Sequence, residues 1–312
     1  MTETPAPTLS PDHADIVVGL LQTPAAIAPK YFYDARGSAL FEDITRLPEY
    51  YPTRTETAIM ATQAQAIAQA VGPGSTVIEL GAGNCKKARA LCQSIQARHY
   101  VAVDISADFM TDAVAGMRAA FPALPIDAVV ADITTDWALP AQVPTGQRLV
   151  FYPGSSIGNF DPPQAQALLA RMRAVAGAGG ALLIGVDLVK DTAVLNAAYD
   201  DAAGVTAAFN LNMLDHINRL IGADFDTRQW RHIAFFNETQ SRIEMHLEAA
   251  QAVEVRWRGG MRRFTQGERI HTENSYKYRV DDFVALLARA GFGQAQVWTD
   301  AQQWFAVVLA RC

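Results

Sequence analysis

The chain has 312 residues, 50% of them hydrophobic, and a formal net charge of −6 at pH 7. That length buries one large core or two modest ones, and that composition excludes a chain disordered throughout. The acidic balance, with no block of basic residues, excludes nucleic acid or an anionic membrane as the main partner, and no apolar run reaches the roughly 18 residues a bilayer span needs.

The first stretch, MTETPAPTLSPDHAD, lacks a basic region followed by an apolar core. A loose tail is expected there, not a secretory signal. Residues 12–22 predict a first helix, entered at Ser10-Pro11 with acids in its first turns. Residues 30–60 are rich in aromatics and charges and predict short helical pieces broken at Gly37, Pro48 and Pro52. The tyrosines there serve either as core or, beside Arg46, Glu49 and Arg54, as the wall of a polar pocket. A helix over 55–71 then opens an alternation. Strands are expected at 75–80, 99–104, 126–133, 148–154 and 180–189, with helices at 84–97, 107–120 and 162–176. Short, continuously apolar strands between helices imply a parallel sheet covered on both faces. The alternation stops at 191–221, which reads as helical, and strand-like stretches follow at 230–237, 242–257 and 268–279. A helix over 280–290, stopped by Gly291, leads to two closing strands that predict a terminal antiparallel hairpin. The fold class expected is therefore α/β, a seven-stranded Rossmann-like sheet with a second α+β substrate domain. The sheet domain is drawn at 55–189 and 280–312, the second at 1–54 and 190–279, and a substrate cleft is expected where they meet.

Three cysteines, Cys85, Cys92 and Cys312, are an odd number in a large chain and point to a reducing cytoplasm. The six histidines are scattered, none stands at ligand spacing beside a cysteine, and no H-E-x-x-H occurs, so no protein-bound metal is expected.

The chemistry is concentrated in VIELGAG, Val77 to Gly83, followed by VAVDIS, Val101 to Ser106. A strand, a glycine turn, a helix and a second strand ending in an acid describe a nucleotide-type pocket outside the carboxyl ends of an open sheet. Gly81 and Gly83 permit an approach that a Cβ would block, and Asp104 can accept from a ribose diol. Asn84, Cys85 and Lys86 follow, so the third glycine of a dinucleotide fingerprint is missing. E-L-G-x-G suits S-adenosylmethionine (SAM) better than NAD. Asp132 can accept from an adenine amine, Ile133 can cover a ring face, and Lys87 can meet a carboxylate. The plainer reading makes the glycines a turn and the acids helix caps.

YPGSSIGNFDP, Tyr152 to Pro162, follows the fourth strand, where enzymes of this class meet the methyl acceptor. It offers Gly154, Gly158 and Asn159, the last with donor and acceptor together; otherwise it is a glycine-rich turn capped by Asp161. Tyr199 lies in AYDDAAGVTAAFNLNML, beyond the fifth strand, and lines the cleft or belongs to a plain amphipathic helix. In HTENSYKYR, Glu273 and Ser275 alternate, so on a strand both face one way. A carboxylate beside a hydroxyl suits a ring bearing N–H groups; by itself the stretch is an ordinary exposed strand.

These segments, with KYFYDARGSALFEDITRLPEYYPTRTE and DLVKD, occur in an order that closely resembles the histidine N-alpha-methyltransferases of ergothioneine biosynthesis, from about residue 28 to the end. The resemblance implies SAM-dependent trimethylation of the α-amine of L-histidine to hercynine. By match to the family's motifs, Tyr33, Gly81, Lys87, Asp104 and Asp132 fall at cofactor positions. Tyr50, Asn159 and Tyr199 fall where the amino acid's main-chain groups are held. Glu273 and Ser275 fall where the imidazole is gripped, with Met245 as an apolar wall. Tyr33 and Asn159 are the expected catalytic residues. Competing readings are the same chemistry on another amine, a non-catalytic SAM-binding scaffold and an NAD oxidoreductase. Glu273 and Ser275 argue against an indole amine, because indole has no ring acceptor. The missing third glycine argues against the oxidoreductase. A monomeric cytoplasmic protein, with L-histidine as its small-molecule substrate and neither nucleic acid nor membrane as partner, is expected.

Overall fold

Valine, isoleucine and leucine runs too short for a helix become the strands of a seven-stranded sheet. In chain order these are Thr76–Leu80, His99–Asp104, Ile126–Val130, Arg148–Tyr152, Ala181–Asp187, Ala295–Thr299 and Phe305–Arg311. The computed structural model of the chain describes residues 13–135 and 137–312, less the side chains at 108 and 109. The expected loose tail and the Ser10-Pro11 helix start lie outside the described residues. The spatial order of the strands is sixth, seventh, fifth, fourth, first, second, third. The first five pair in parallel. Phe305–Arg311 pairs antiparallel with both its neighbours, which is the expected terminal hairpin. The chain steps outward from the first strand to the third, then returns to the other side of the first. The gap between the first and fourth strands is therefore the topological switch point, where ligands of such sheets bind.

Alternate residues of each strand leave on opposite faces, and both faces are covered. Ile78, Val101, Val150 and Leu182 pack with Leu169, Met172, Phe283 and Leu287. Val77, Tyr100, Ala102 and Leu183 pack with Ile59, Ile67, Leu91, Met110 and Met117. Each valine, leucine, isoleucine, phenylalanine or methionine among them contributes roughly 1.5–3 kcal/mol on burial. Helix starts follow local chemistry. Pro162 opens Pro162–Ala176, its fixed φ suiting the first turn, and Gln164 Oε1 accepts from Asp161 N at 3.2 Å. In Val280–Arg289, Asp281 and Asp282 occupy the first turn and Arg289 the last, each complementing the helix dipole.

The structure departs from the expected elements in a few places. The helix expected over 55–71 is two, Tyr51–Thr62 and Ala64–Val71, with Gln63 between them at φ −102° and ψ 10°. The stretch 191–221 divides into Thr192–Tyr199 and Val205–Ile221, with Gly204 at φ +72° before the second. The third strand stops at Val130, and the chain turns through Asp132.

The chain packs into two compact units. One holds Tyr50–Asp191, Glu238–Arg242 and Ser275–Cys312, and contains the large sheet. The other holds the residues up to Glu49 with Thr192–Asn237 and Ile243–Asn274. A four-stranded sheet runs in the order Ala25–Ala26, Arg269–Tyr276, Arg242–Ala249, Trp230–Asn237. Its two-residue first strand, in register with Ile270 and His271, has no periodic pattern to betray it. Val253–Trp257 and Gly260–Phe264 form a separate antiparallel pair. Phe209, Met213 and Ile217 of the helix Val205–Ile221 are buried, and Phe32 stacks on Phe209 at 4.5 Å.

Candidate active site

The turn after the first strand is made as its glycines dictate. Gly81 has φ +66° and Gly83 φ +49°, in the left-handed region where glycine is unstrained. The Gly81 and Ala82 N–H groups donate to Val103 O at 2.9 and 3.1 Å, tying the turn to the second strand. A Cβ on Gly81 would meet nothing within 4 Å, so the space over the turn is open. Asp104, at the end of the second strand, fixes the turn from below: its Oδ2 accepts from Gly83 N and its Oδ1 from Ser106 N, both at 2.9 Å. One backbone bond per oxygen leaves each a lone pair. An open glycine turn, an oriented carboxylate and a nearby ammonium fit an adenosyl amino acid. Beyond the third strand, Asp132 Oδ1 accepts from Thr134 N at 2.9 Å and from Thr134 Oγ1 at 2.5 Å. Ile133 packs partly buried against the sheet core.

Glu79 does not face that space. It is 2% exposed and takes the Tyr100 hydroxyl at 2.5 Å. Burial pushes its carboxyl up to about 8. Cys85 and Cys92 share the apolar core beneath it, and burial, followed by the nearby Glu79, pushes both thiols up to about 12. They are core residues, not nucleophiles.

Lys87 stands in the first turn of the helix Lys86–Ser94 and forms an ion pair with Glu56. Glu56 is 1% exposed. Gly154 N donates to both of its oxygens, at 2.9 and 3.0 Å. One carboxylate thus holds the Lys87 ammonium and the loop after the fourth strand, the two sides of the switch point. Gly185 is the counterpart: a Cβ there would lie 1.9 Å from Glu56 Oε1.

A second buried carboxylate organises the far side. Asp187 ends the fifth strand, 1% exposed. It accepts from Tyr51 OH at 2.7 Å, Lys190 Nζ at 2.5 Å and Lys277 Nζ at 2.8 Å, and its N–H donates to Ser155 Oγ at 2.8 Å. Burial alone would raise the Asp187 carboxyl, but Lys277 and Lys190 outweigh it and hold it below its usual range. Burial drives Lys190 down to about 8 against the pull of Asp187. Lys277 also donates to Ser275 Oγ at 2.8 Å. Ser275, 3% exposed, is thereby anchored as an acceptor. Gly158 packs against the same strand, where a Cβ would lie 2.9 Å from Tyr276 O. Asn159 is the next residue, closing the 3-10 turn Ser156–Asn159. Tyr50 is 9% exposed, and its carbonyl accepts from Arg54 Nη1 at 3.1 Å.

Within the other unit, Tyr33 makes edge-to-face contacts with Phe41 and Phe209 at 5.8 and 5.9 Å. Asn210 Nδ2 donates to His232 Nδ1 at 2.8 Å, so the His232 proton sits on Nε2 and goes to Tyr199 O at 2.9 Å. Burial lowers the His232 pKa and favours that neutral form. Met245 is 2% exposed, and its carbonyl takes Thr272 Oγ1 at 3.0 Å. Glu273 stands two residues from Ser275 on Arg269–Tyr276. The structure thus brings Gly81, Gly83, Lys87, Asp104 and Gly154 to the switch point of one unit. Tyr50, Asn159 and Ser275 belong to that unit, and Tyr33, Tyr199, Met245 and Glu273 to the other. Glu56, Tyr51, Asp187 and Lys277 were not singled out from the sequence. DLVKD and SYKY carry two of them, but burial of their charges depends on partners distant in the chain.

Residues 12–312 match the sequence profile of a family described as histidine-specific methyltransferase, SAM-dependent. A histidine N-alpha-methyltransferase of Mycolicibacterium smegmatis is 43% identical, the match covering 95% of this chain and 93% of that protein. One of the same name from Mycobacterium tuberculosis is 40% identical over the same shares. Ergothioneine biosynthesis protein 1 of Neurospora crassa is 29% identical, over 92% of this chain and 33% of its own length.

Proposed function

This chain belongs to the SAM-dependent, histidine-specific methyltransferases, and on that premise we propose that it trimethylates the α-amine of L-histidine to hercynine, a step of ergothioneine biosynthesis. The observation that carries the reading is the identity to two histidine N-alpha-methyltransferases along 95% of this chain.

SAM, when bound, supplies a methyl group on a sulfonium, open to in-line displacement by an amine. The residues proposed to hold it are Gly81 and Gly83 by close backbone approach, Asp104 at the ribose, Asp132 and Ile133 at the adenine, Lys87 at the carboxylate, and Tyr33. Gly154, through its N–H on Glu56, keeps the loop after the fourth strand beside Lys87. Positioning supplies much of the rate of such a displacement. Asn159, Tyr50 and Tyr199 are proposed to hold the amino acid's main-chain groups, with Asn159 and Tyr33 acting at the amine. The amine attacks in its neutral form, and tyrosine faces tolerate the growing cation by cation–π contact. Glu273 accepts from one imidazole N–H. Ser275, whose oxygen already accepts from Lys277, donates to the other ring nitrogen. A site pairing both nitrogens rejects apolar analogues strongly, with Met245 as its apolar wall.

The reading also has the chain act as a cytoplasmic monomer. Its cysteines support the compartment, since none is paired. No helix among the described residues is long and apolar enough to cross a membrane. Incubation of the purified protein with SAM and histidine, followed by mass spectrometry, tests the activity directly. A product carrying three added methyls supports it, and histidine left unchanged while another amine is methylated overturns the substrate.

A further inference from the structure

The small sheet carries a cluster of chemistry-bearing side chains that methyl transfer does not use. Glu244 and His246 stand two apart on Arg242–Ala249, so they leave the strand on one face. His271 comes from Arg269–Tyr276, the neighbouring strand of the sheet. A ligand atom from each of the three lies within 4.8 Å of the others. The cluster belongs to one compact unit throughout.

Its surroundings are those of a built site. The Glu244 and His246 side chains are 10% and 12% exposed, with His246 Nε2 3.1 Å from Glu244 Oε2. Glu244 Oε1 accepts from Asn237 Nδ2 at 2.9 Å, which orients the carboxylate. Phe235 stacks on the His246 ring at 5.5 Å and 3°, fixing its plane. The His246 and His271 ring centroids are 5.0 Å apart. The nearby Arg231 and Arg269 are both engaged by Glu248, at 3.0 and 2.9 Å. His246 Nδ1 is buried and makes no hydrogen bond.

We propose that Glu244, His246 and His271 form a binding site for a divalent transition metal of the zinc class. Two imidazoles and one carboxylate are donors such ions accept, and three protein ligands leave a position for water or a small ligand. Magnesium and calcium prefer all-oxygen shells and are disfavoured by the two imidazoles. Donors around a tetrahedral ion with bonds of about 2.0–2.1 Å lie about 3.3 Å apart, so the three groups reach it by small side-chain rotations. The alternative is a hydrogen-bonded cluster with no ion. It uses the Glu244–His246 contact but leaves His246 Nδ1 buried without a partner. The sequence does not announce the site, because its ligands are split between two strands and match no linear motif.

The test is titration of the full chain, stripped by a chelator, with Zn²⁺ against a chromophoric competitor, and with Co²⁺ followed by its d–d absorption. One ion per chain is expected in the wild type and in the controls Cys312→Ser and His13→Ala. Glu244→Gln and His271→Ala are each expected to weaken binding by more than the roughly 10–100-fold that loss of an outer-shell partner costs. Their metal-free circular dichroism and SAM binding should match the wild type. Absence of saturable binding in the wild type overturns the proposal. So does binding unaltered in both substituted chains, or a thiolate charge-transfer band with Co²⁺, which would put the ion on a cysteine.

Discussion

At the scale of single residues, the two sets of contacts are separable by substitution. Asp104 bonds Gly83 N and Ser106 N, and in the proposed complex it also meets the ribose. Asp104→Ala is therefore expected to weaken SAM binding by about 1.5–3 kcal/mol, the range for hydrogen bonds to a charged group. Calorimetric titration with SAM measures this, and unchanged affinity would remove Asp104 from the cofactor. Glu273→Ala is expected to cost histidine about 1–3 kcal/mol of affinity by leaving an imidazole N–H unpaired, with SAM binding intact. Equal losses for both ligands would place Glu273 elsewhere. In the proposed complex, Lys277 acts through Ser275, to which it donates. In steady-state kinetics, Lys277→Met should raise the KM for histidine more than the KM for SAM, although it also leaves Asp187 with one ammonium fewer.

At the scale of elements, the loop after the fourth strand depends on close backbone packing. Gly158→Ala would put a Cβ 2.9 Å from Tyr276 O, against backbone that cannot rotate aside. A loss of about 1–3 kcal/mol, typical of overpacking, is expected in denaturant unfolding, and an unaltered midpoint would show that the loop yields freely. Elements with a strong local pattern were legible in the sequence. His99–Asp104, Ala107–Ala120 and Pro162–Ala176 fall where apolar period, proline and acid predict. Ala25–Ala26 and Gly260–Phe264 were not legible, because pairing partners, not local pattern, make them strands. The same division holds in the site. Gly81 and Asp104 announce themselves through a turn and a strand end. Glu56 and Lys277 read as ordinary surface charges until long-range pairing buries them.

At the scale of the whole molecule, stability should carry the signature of a buried acid. Glu79 is raised from 4.5 to about 8 by burial. The folded chain keeps that proton where the unfolded chain has lost it, so this contribution is full below about 4.5 and is lost as pH rises through about 8. Thermal unfolding of the wild type should fall relative to Glu79→Gln across that window, and parallel pH curves would contradict the assignment. The central claim is the reaction. Purified chain with SAM and each of the twenty amino acids, read by mass spectrometry, tests it most directly. A product three methyl groups heavier, from histidine alone, is expected. Methylation of a different amino acid with histidine inert would contradict it, leaving the family and fold in place and overturning the roles given to Glu273 and Ser275.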